Sequence, residues 1–199
     1  MKMKGVCYDA GDVMGFNWRP DFDISMVRRE LEMVKNDLRC SAVRIGAQDI
    51  GRVTAAAQAA LDQGLDVWFS ALRWDMSPQE TLEYIKKGAA AERLRAEHPD
   101  RVVFCLGGEL TLFMKGIVEG ARLTNRMSSP KLISAIKSGE HDKPLNDFLT
   151  KANSAARPVF HGQAAYGSLV WERSTGPSST TSGSITMGRR RSRTGTSRC

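Results

Sequence analysis

Apolar and polar positions follow one another along this chain in two recurring patterns. Residues 102–106, Val-Val-Phe-Cys-Leu, form a continuous apolar run, the signature of a strand buried on both faces. Comparable runs at 3–8, 41–45, 65–70 and 158–165 predict four more strands. Between them lie stripes of helical period. Val27, Leu31, Val34 and Leu38 recur at steps of four, three and four, which predicts a helix over 25–38. Ile50, Val53, Ala57, Ala60 and Leu61 predict a second helix, capped by Asp49 and stopped by Gly64. Ser77-Pro78-Gln79-Glu80 is a capping box with proline at the first helical position. The helix it starts should run towards Glu97, where His98-Pro99-Asp100 ends it. Residues 115–142 have weaker periodicity. Leu145, Phe148, Leu149 and Ala152 then mark a last helix over 144–156.

Strand and helix thus alternate and end on a strand, which predicts right-handed βαβ units and a parallel sheet. Two architectures compete, an open doubly wound sheet and a (β/α)8 barrel. No Gly-x-Gly-x-x-Gly follows the first strand and no Walker motif occurs, so nucleotide-binding folds lose support. Polar residues close every strand: Tyr8-Asp9, Arg44, Ser70 with Arg73 and Trp74, Glu109, and Gln163 with Tyr166. Such a ring suits a barrel mouth. The expected fold is α/β, a partial (β/α)8 TIM barrel of about five strand–helix units. It should occupy residues 1–173, with a disordered Ser/Thr/Arg-rich tail over 174–199. Five strands do not close a barrel, and about 250 residues is usual for that fold.

Composition narrows the setting. The chain has 199 residues, 41% hydrophobic and 26% charged, as in a soluble globular protein. Its apolar runs are too short for a membrane span, and it opens on a strand without a signal peptide, so a cytoplasmic location is expected. Cys7, Cys40, Cys105 and Cys199 show no metal spacing, and three of them fall in or beside strands, as reduced core thiols would. His98, His141 and His161 share no ligand spacing either, so neither metal nor cofactor is expected. The net charge is +7, but residues 174–199 hold five arginines and no acid, leaving +2 for the rest. Arginines between Gly188 and Arg198 have no interleaved aromatics, so a solvated tail is favoured over a nucleic-acid arm.

Four stretches carry a family resemblance: Gly5-Val-Cys-Tyr-Asp9, Asp37-Leu-Arg-Cys-Ser-Ala-Val-Arg44, Gly64-Leu-Asp-Val-Trp-Phe-Ser70 and Gly107-Gly-Glu-Leu-Thr-Leu-Phe113. With them the chain, over about residues 3–173, resembles a TIM-barrel family labelled abortive phage infection proteins. That family in turn resembles the clan A glycoside hydrolases. The resemblance implies a phage-defence context and an acid/base Glu after strand four, matched here by Glu109. It departs from the clan in that Gly108, where Asn is usual, precedes Glu109. The clan's nucleophile Glu follows strand seven, which this chain does not contain.

Glu109 is therefore the first candidate for chemistry. A retaining glycosidase needs two carboxyl groups about 5–5.5 Å apart, one of them protonated by a raised pKa. The same residue can instead cap the segment after it or pair with an arginine. Asp9 can bind a sugar hydroxyl, orient Arg44, or serve a turn. Arg44 can hold a carboxylate, anchor Glu109 by a bidentate pair, or form a structural ion pair. Trp74 and Trp18 lie in loops near strand ends, where indole faces stack on sugars or cover a core edge. Tyr8, Gln163 and Tyr166 complete the expected substrate-binding set. A strand histidine such as His161 reads as a core or supporting group. Two main readings stay open, a glycoside hydrolase using Glu109 and a non-catalytic carbohydrate- or ligand-binding barrel. Nucleic-acid binding through the tail is a third.

The tail itself reads as out of frame. Residues 174–199 comprise 17 Ser, Thr or Gly and five Arg. Arg173 to Gly188 can be encoded so that reading from the last nucleotide of codon 173 gives Val-Asp-Trp-Ser-Leu-Phe-Asp-Tyr-Val-Gly-Ile-Asp-His-Tyr-Gly. This resembles the family's sixth strand, an apolar run ending in Asp-His-Tyr. On that reading the natural protein continues through strands six to eight, and the chain as given is a truncated, inactive fragment.

Overall fold

The computed structural model describes residues 3–13, 16, 17, 19–174 and 179–181. All five predicted strands are present: β1 (Gly5–Asp9), β2 (Ala42–Ala47), β3 (Asp66–Ala71), β4 (Val102–Gly108) and β5 (Gln163–Ser168). A short sixth, β6 (Ser179–Thr181), pairs with β5 from within the segment expected to be a loose tail. The rest of 175–199 lies outside the described residues. Every pairing within this six-stranded sheet is parallel, and the strand order follows the chain, β1 to β6. That order decides the architecture. A doubly wound sheet reverses its order at a switch point. Here the order never reverses, so right-handed crossovers place the helices on one face and the other face becomes concave. The fold is α/β, a partial barrel. A two-residue ribbon, Asp12–Val13 against Phe16–Asn17, decorates the loop after β1.

The helices follow the predicted stripes. In α1 (Ile24–Asn36) Val27, Leu31 and Val34 are buried, but Leu38 lies past its end and is exposed. In α2 (Ile50–Asp62) the Asp49 side chain accepts from the Arg52 amide at 2.9 Å, the expected cap. The capping box of α3 (Pro78–Ile85) is complete, with Ser77 and Glu80 bonded reciprocally. The single helix expected to run towards Glu97 is instead broken by a 3-10 turn, Lys86–Gly88, before α4 (Ala89–Glu97). Gly88 explains the close fit there: a Cβ on it would sit 2.5 Å from the Phe104 ring. The chain therefore presses its backbone onto β4. The weakly periodic stretch holds α5 (Leu110–Phe113), α6 (Leu123–Met127) and α7 (Pro130–Ser138). The last helix, α8 (Asp142–Ala156), buries Leu145, Phe148, Leu149 and Ala152 as predicted.

The core lies between the helices and the outer face of the sheet. Ile45, Phe69, Phe104 and Phe160 are almost fully buried there, with Phe104 centred 6.2 Å from Phe69 and 5.4 Å from Phe160. Each such side chain contributes roughly 1.5–3 kcal/mol by leaving water. The concave face has a different composition. One register row crosses it as Cys7, Arg44, Trp68, Val103 and Gln163. Cys7 is exposed, whereas Cys40 and Cys105 are the buried thiols expected.

The fifth strand starts later than predicted, at Gln163 rather than at Pro158. The amides of Val159 and Phe160 both donate to the Ala156 carbonyl, so the chain stays turned after α8 while Phe160 fills the core. Among the described residues, no helix is long and apolar enough to cross a membrane.

Candidate functional site

The carboxyl ends of β1 to β4 enclose a cavity of about 220 Å³. Asp9, Arg44, Arg73, Trp74, Tyr84 and Glu109 line it. Asp9 and Glu109 are the acidic residues that line it among the described residues. Alternation along β1 sends Cys7 and Asp9 to this face. Burial at the strand end pushes the Asp9 carboxyl above its ordinary value, against the pull of Arg44 and Arg19. Arg44 lies across the sheet, with Nε and Nη2 both donating to Ser70 Oγ at 3.3 Å. Its guanidinium runs so close to β4 that a Cβ on Gly108 would be 2.8 Å from Nη2. Burial pushes the Cys105 thiol up, while the same guanidinium pulls it down.

Glu109 follows directly as the N-cap residue of α5, with φ 52° and ψ 37°. A left-handed backbone is uncommon for a residue with a side chain and persists only where the surroundings fix it. Here the Glu109 amide donates to the Gly167 carbonyl of β5 at 2.8 Å, and its carbonyl accepts from the Leu112 and Phe113 amides. Its side chain makes no capping bond with α5. It lines the cavity instead.

The loop bearing Trp74 is tied to the loop after β4. The Asp75 amide donates to the Phe113 carbonyl at 2.8 Å, and the Lys115 amide to the Met76 carbonyl at 2.9 Å. Arg126, with none of its side chain exposed, locks the junction. It donates to the carbonyls of Leu112, Phe113 and Gly120 and to Asp75 Oδ1. In the same loop Arg73 lies over the Tyr84 ring at 5.5 Å, and the Tyr84 hydroxyl donates to the Gln48 carbonyl. Burial pushes that hydroxyl up to about 12, against the pull of Arg73.

Of the residues singled out in the sequence, Glu109, Asp9, Arg44 and Trp74 come together in the cavity. Three others do not. Tyr8 points to the helix layer, because it alternates with Asp9. Its hydroxyl donates to Glu30 at 2.6 Å, and Arg19 lies over its ring at 4.9 Å. Burial, then the Glu30 bond, push the Tyr8 hydroxyl upward. Gln163, displaced by the later start of β5, opens that strand at the amino end of the sheet, beside Val103. Tyr166 is fully buried and lies behind the cavity, its hydroxyl accepting from the Leu110 amide. Trp18 lies outside the described residues. His161 is exposed beside Glu92, while His141 is the buried histidine, edge-on to Trp171. The sequence reading missed Arg126, Tyr84 and the buried carboxylate Glu172. Only Glu172 gave a signal, as an acid shortly after an apolar strand. Among the described residues no group of three or more His, Cys, Asp or Glu is arranged to hold a metal ion.

No protein-family model matches this sequence, and no curated protein matches it. Among solved structures, one similar chain is a thermostable, highly halotolerant GH5 cellulase from an Icelandic hot spring isolate. Its TM-score is 0.49 at 10% identity, covering 90% of this chain and 52% of the cellulase. The chain thus spans about half the length of that enzyme.

Proposed function

We propose that the protein is a glycoside-hydrolase-like barrel in which Glu109 is the general acid/base of glycosidic bond cleavage. The observation that carries this reading is the position of Glu109 after β4, bordering a cavity it shares with Asp9 and Trp74. A carboxyl group there can protonate a leaving glycosidic oxygen while the indole of Trp74 stacks on a sugar ring. Asp9 can accept from sugar hydroxyls. The second carboxylate of the reaction belongs, on the same reading, to the sequence in the alternative frame beyond codon 173.

Aryl glycosides and polysaccharides are the test substrates, offered to protein made with that alternative frame. Glu109→Gln should lower the hydrolysis rate by about 10²–10⁴-fold. An unchanged rate rejects the acid role. Gene sequencing is the companion test: without an open frame of barrel-like sequence after codon 173, the frame proposal fails.

A second reading is a non-catalytic carbohydrate-binding barrel. Arg44 packed against Gly108, where clan enzymes have Asn before the acid, favours it. Sugar binding that depends on Trp74, with no hydrolysis by either form, would select this reading. The phage-defence context follows from the family resemblance, and plaque counts on cells with and without the gene test it.

A further inference from the structure

The first amides of a helix have no partner within it, and the N-cap side chain usually satisfies one. At α5 the N-cap residue is Glu109, and its side chain does not do so. Three successive amides there donate instead to the β5 segment. Glu109 N donates to the Gly167 carbonyl at 2.8 Å, Leu110 N to Tyr166 Oη at 2.9 Å, and Thr111 N to Glu172 Oε1 at 3.3 Å. The Tyr166 hydroxyl in turn donates to Glu172, at 3.2 and 3.1 Å from its two oxygens. The Leu169 amide adds a bond to Glu172 Oε2 at 2.8 Å. Tyr166 is 0% exposed and Glu172 7%, so this is a built, buried arrangement. A buried carboxylate is costly unless its lone pairs are satisfied. Glu172 has donors from three residues.

We propose that Tyr166 and Glu172 are positioning residues, a buried pair that caps α5 in place of Glu109 and so turns the Glu109 carboxylate to the cavity. Without them the Leu110 and Thr111 amides lose their acceptors. The nearest replacement is the Glu109 side chain itself, swinging back as an ordinary N-cap. Burial, and then the charge of Glu172, hold the Tyr166 hydroxyl far above its usual range, so it remains a donor at every physiological pH. The functional meaning of this pair rests on Glu109 being the acting group, but its structural content is measurable separately.

The experiment uses the full chain with Tyr166→Phe and Glu172→Gln, and Leu149→Ala in α8 as a destabilised control. Nuclear magnetic resonance reads the Glu109 Cα shift, its amide–Hα coupling and its side-chain carboxyl shift. Both variants should move these signals away from the left-handed values, and exchange of the Leu110 and Thr111 amides should quicken about tenfold or more. Leu149→Ala should leave the Glu109 signals in place. A lower melting temperature with unmoved Glu109 signals would overturn the proposal. Should Tyr166→Phe fail to fold, Glu172→Gln, which preserves shape and one acceptor, gives the same readout. If the signals move but Glu109→Gln leaves hydrolysis unchanged, the positioning stands and the acid reading falls.

Discussion

At the amino end of the sheet Glu92 meets Arg95 at 2.8 Å and His161 at 2.9 Å, and Arg101 meets Asp66 at 3.3 Å, all in pairs that water reaches. At the carboxyl end Arg126 meets Asp75 at 2.5 Å with 0% of its side chain exposed. Backbone strain is distributed in the same way. Among the described residues, each end has two non-glycine residues at positive φ. Arg39 and Asp100 at the amino end sit in exposed turns, whereas Asp75 and Glu109 at the carboxyl end are half-buried and multiply bonded. Charges in water can be removed with small effect, while a desolvated charge depends on every partner. The carboxyl end therefore holds its side chains in fixed positions, and the amino end leaves its charged pairs in water.

The largest test of this contrast is Arg126→Met. It removes the Arg126 bonds to the Asp75 carboxylate and to the Leu112 and Gly120 carbonyls, leaves the Phe113 carbonyl only its bond from the Asp75 amide, and should lower stability by about 3–5 kcal/mol in chemical denaturation. A loss below about 1 kcal/mol would place Arg126 with the solvated pairs. Next comes a pair of glycine substitutions. Glu109→Gly and Asp100→Gly should each raise stability by about 1 kcal/mol, because glycine adopts positive φ without strain. Only Glu109→Gly should abolish sugar hydrolysis or binding. Equal functional effects from both would erase the distinction between the two ends.

The smallest effect is at Glu92. The Arg95 guanidinium bonded to it, and then His161, pull its carboxyl down to about 2. A depressed carboxylate stabilises the fold above its unfolded pKa, and that contribution disappears as pH falls from about 4.5 towards 2. Glu92→Gln should flatten the melting temperature over that window, lowering it slightly at pH 7 and converging with the parent protein near pH 2. Solvent screening keeps the difference below about 1 kcal/mol. A slope identical to the parent protein would show that the pair adds nothing.

Local chemistry made much of this legible from sequence. Ser77, Pro78 and Glu80 specify a helix start without help from the rest of the chain, and Asp49 does the same. The stripe of α8 was equally plain, since Leu145, Phe148 and Leu149 can share only one face. Glu109 could be placed because a strand ending in Gly-Gly leaves few alternatives. The errors arose where packing between distant segments decides. Phe160 belongs to the core and not to a strand, which moved β5 and carried Gln163 away from the cavity. Tyr8 and Asp9 are neighbours in sequence but face opposite sides of the sheet. Arg126 had no signal, because its partners at Asp75, Leu112 and Gly120 converge only in three dimensions.

The strand order has a consequence for how the protein is made. Each strand pairs with the one before it and the one after it, in the order they leave the ribosome. Every new strand finds the edge it needs already in place, and no early strand waits for a late one. Successive strands start between 16 and 61 residues apart, so at synthesis rates of about 5–20 residues per second they emerge about one to twelve seconds apart. That interval is long compared with helix and loop closure. The sheet can therefore grow by accretion from β1, with assembly keeping pace with translation.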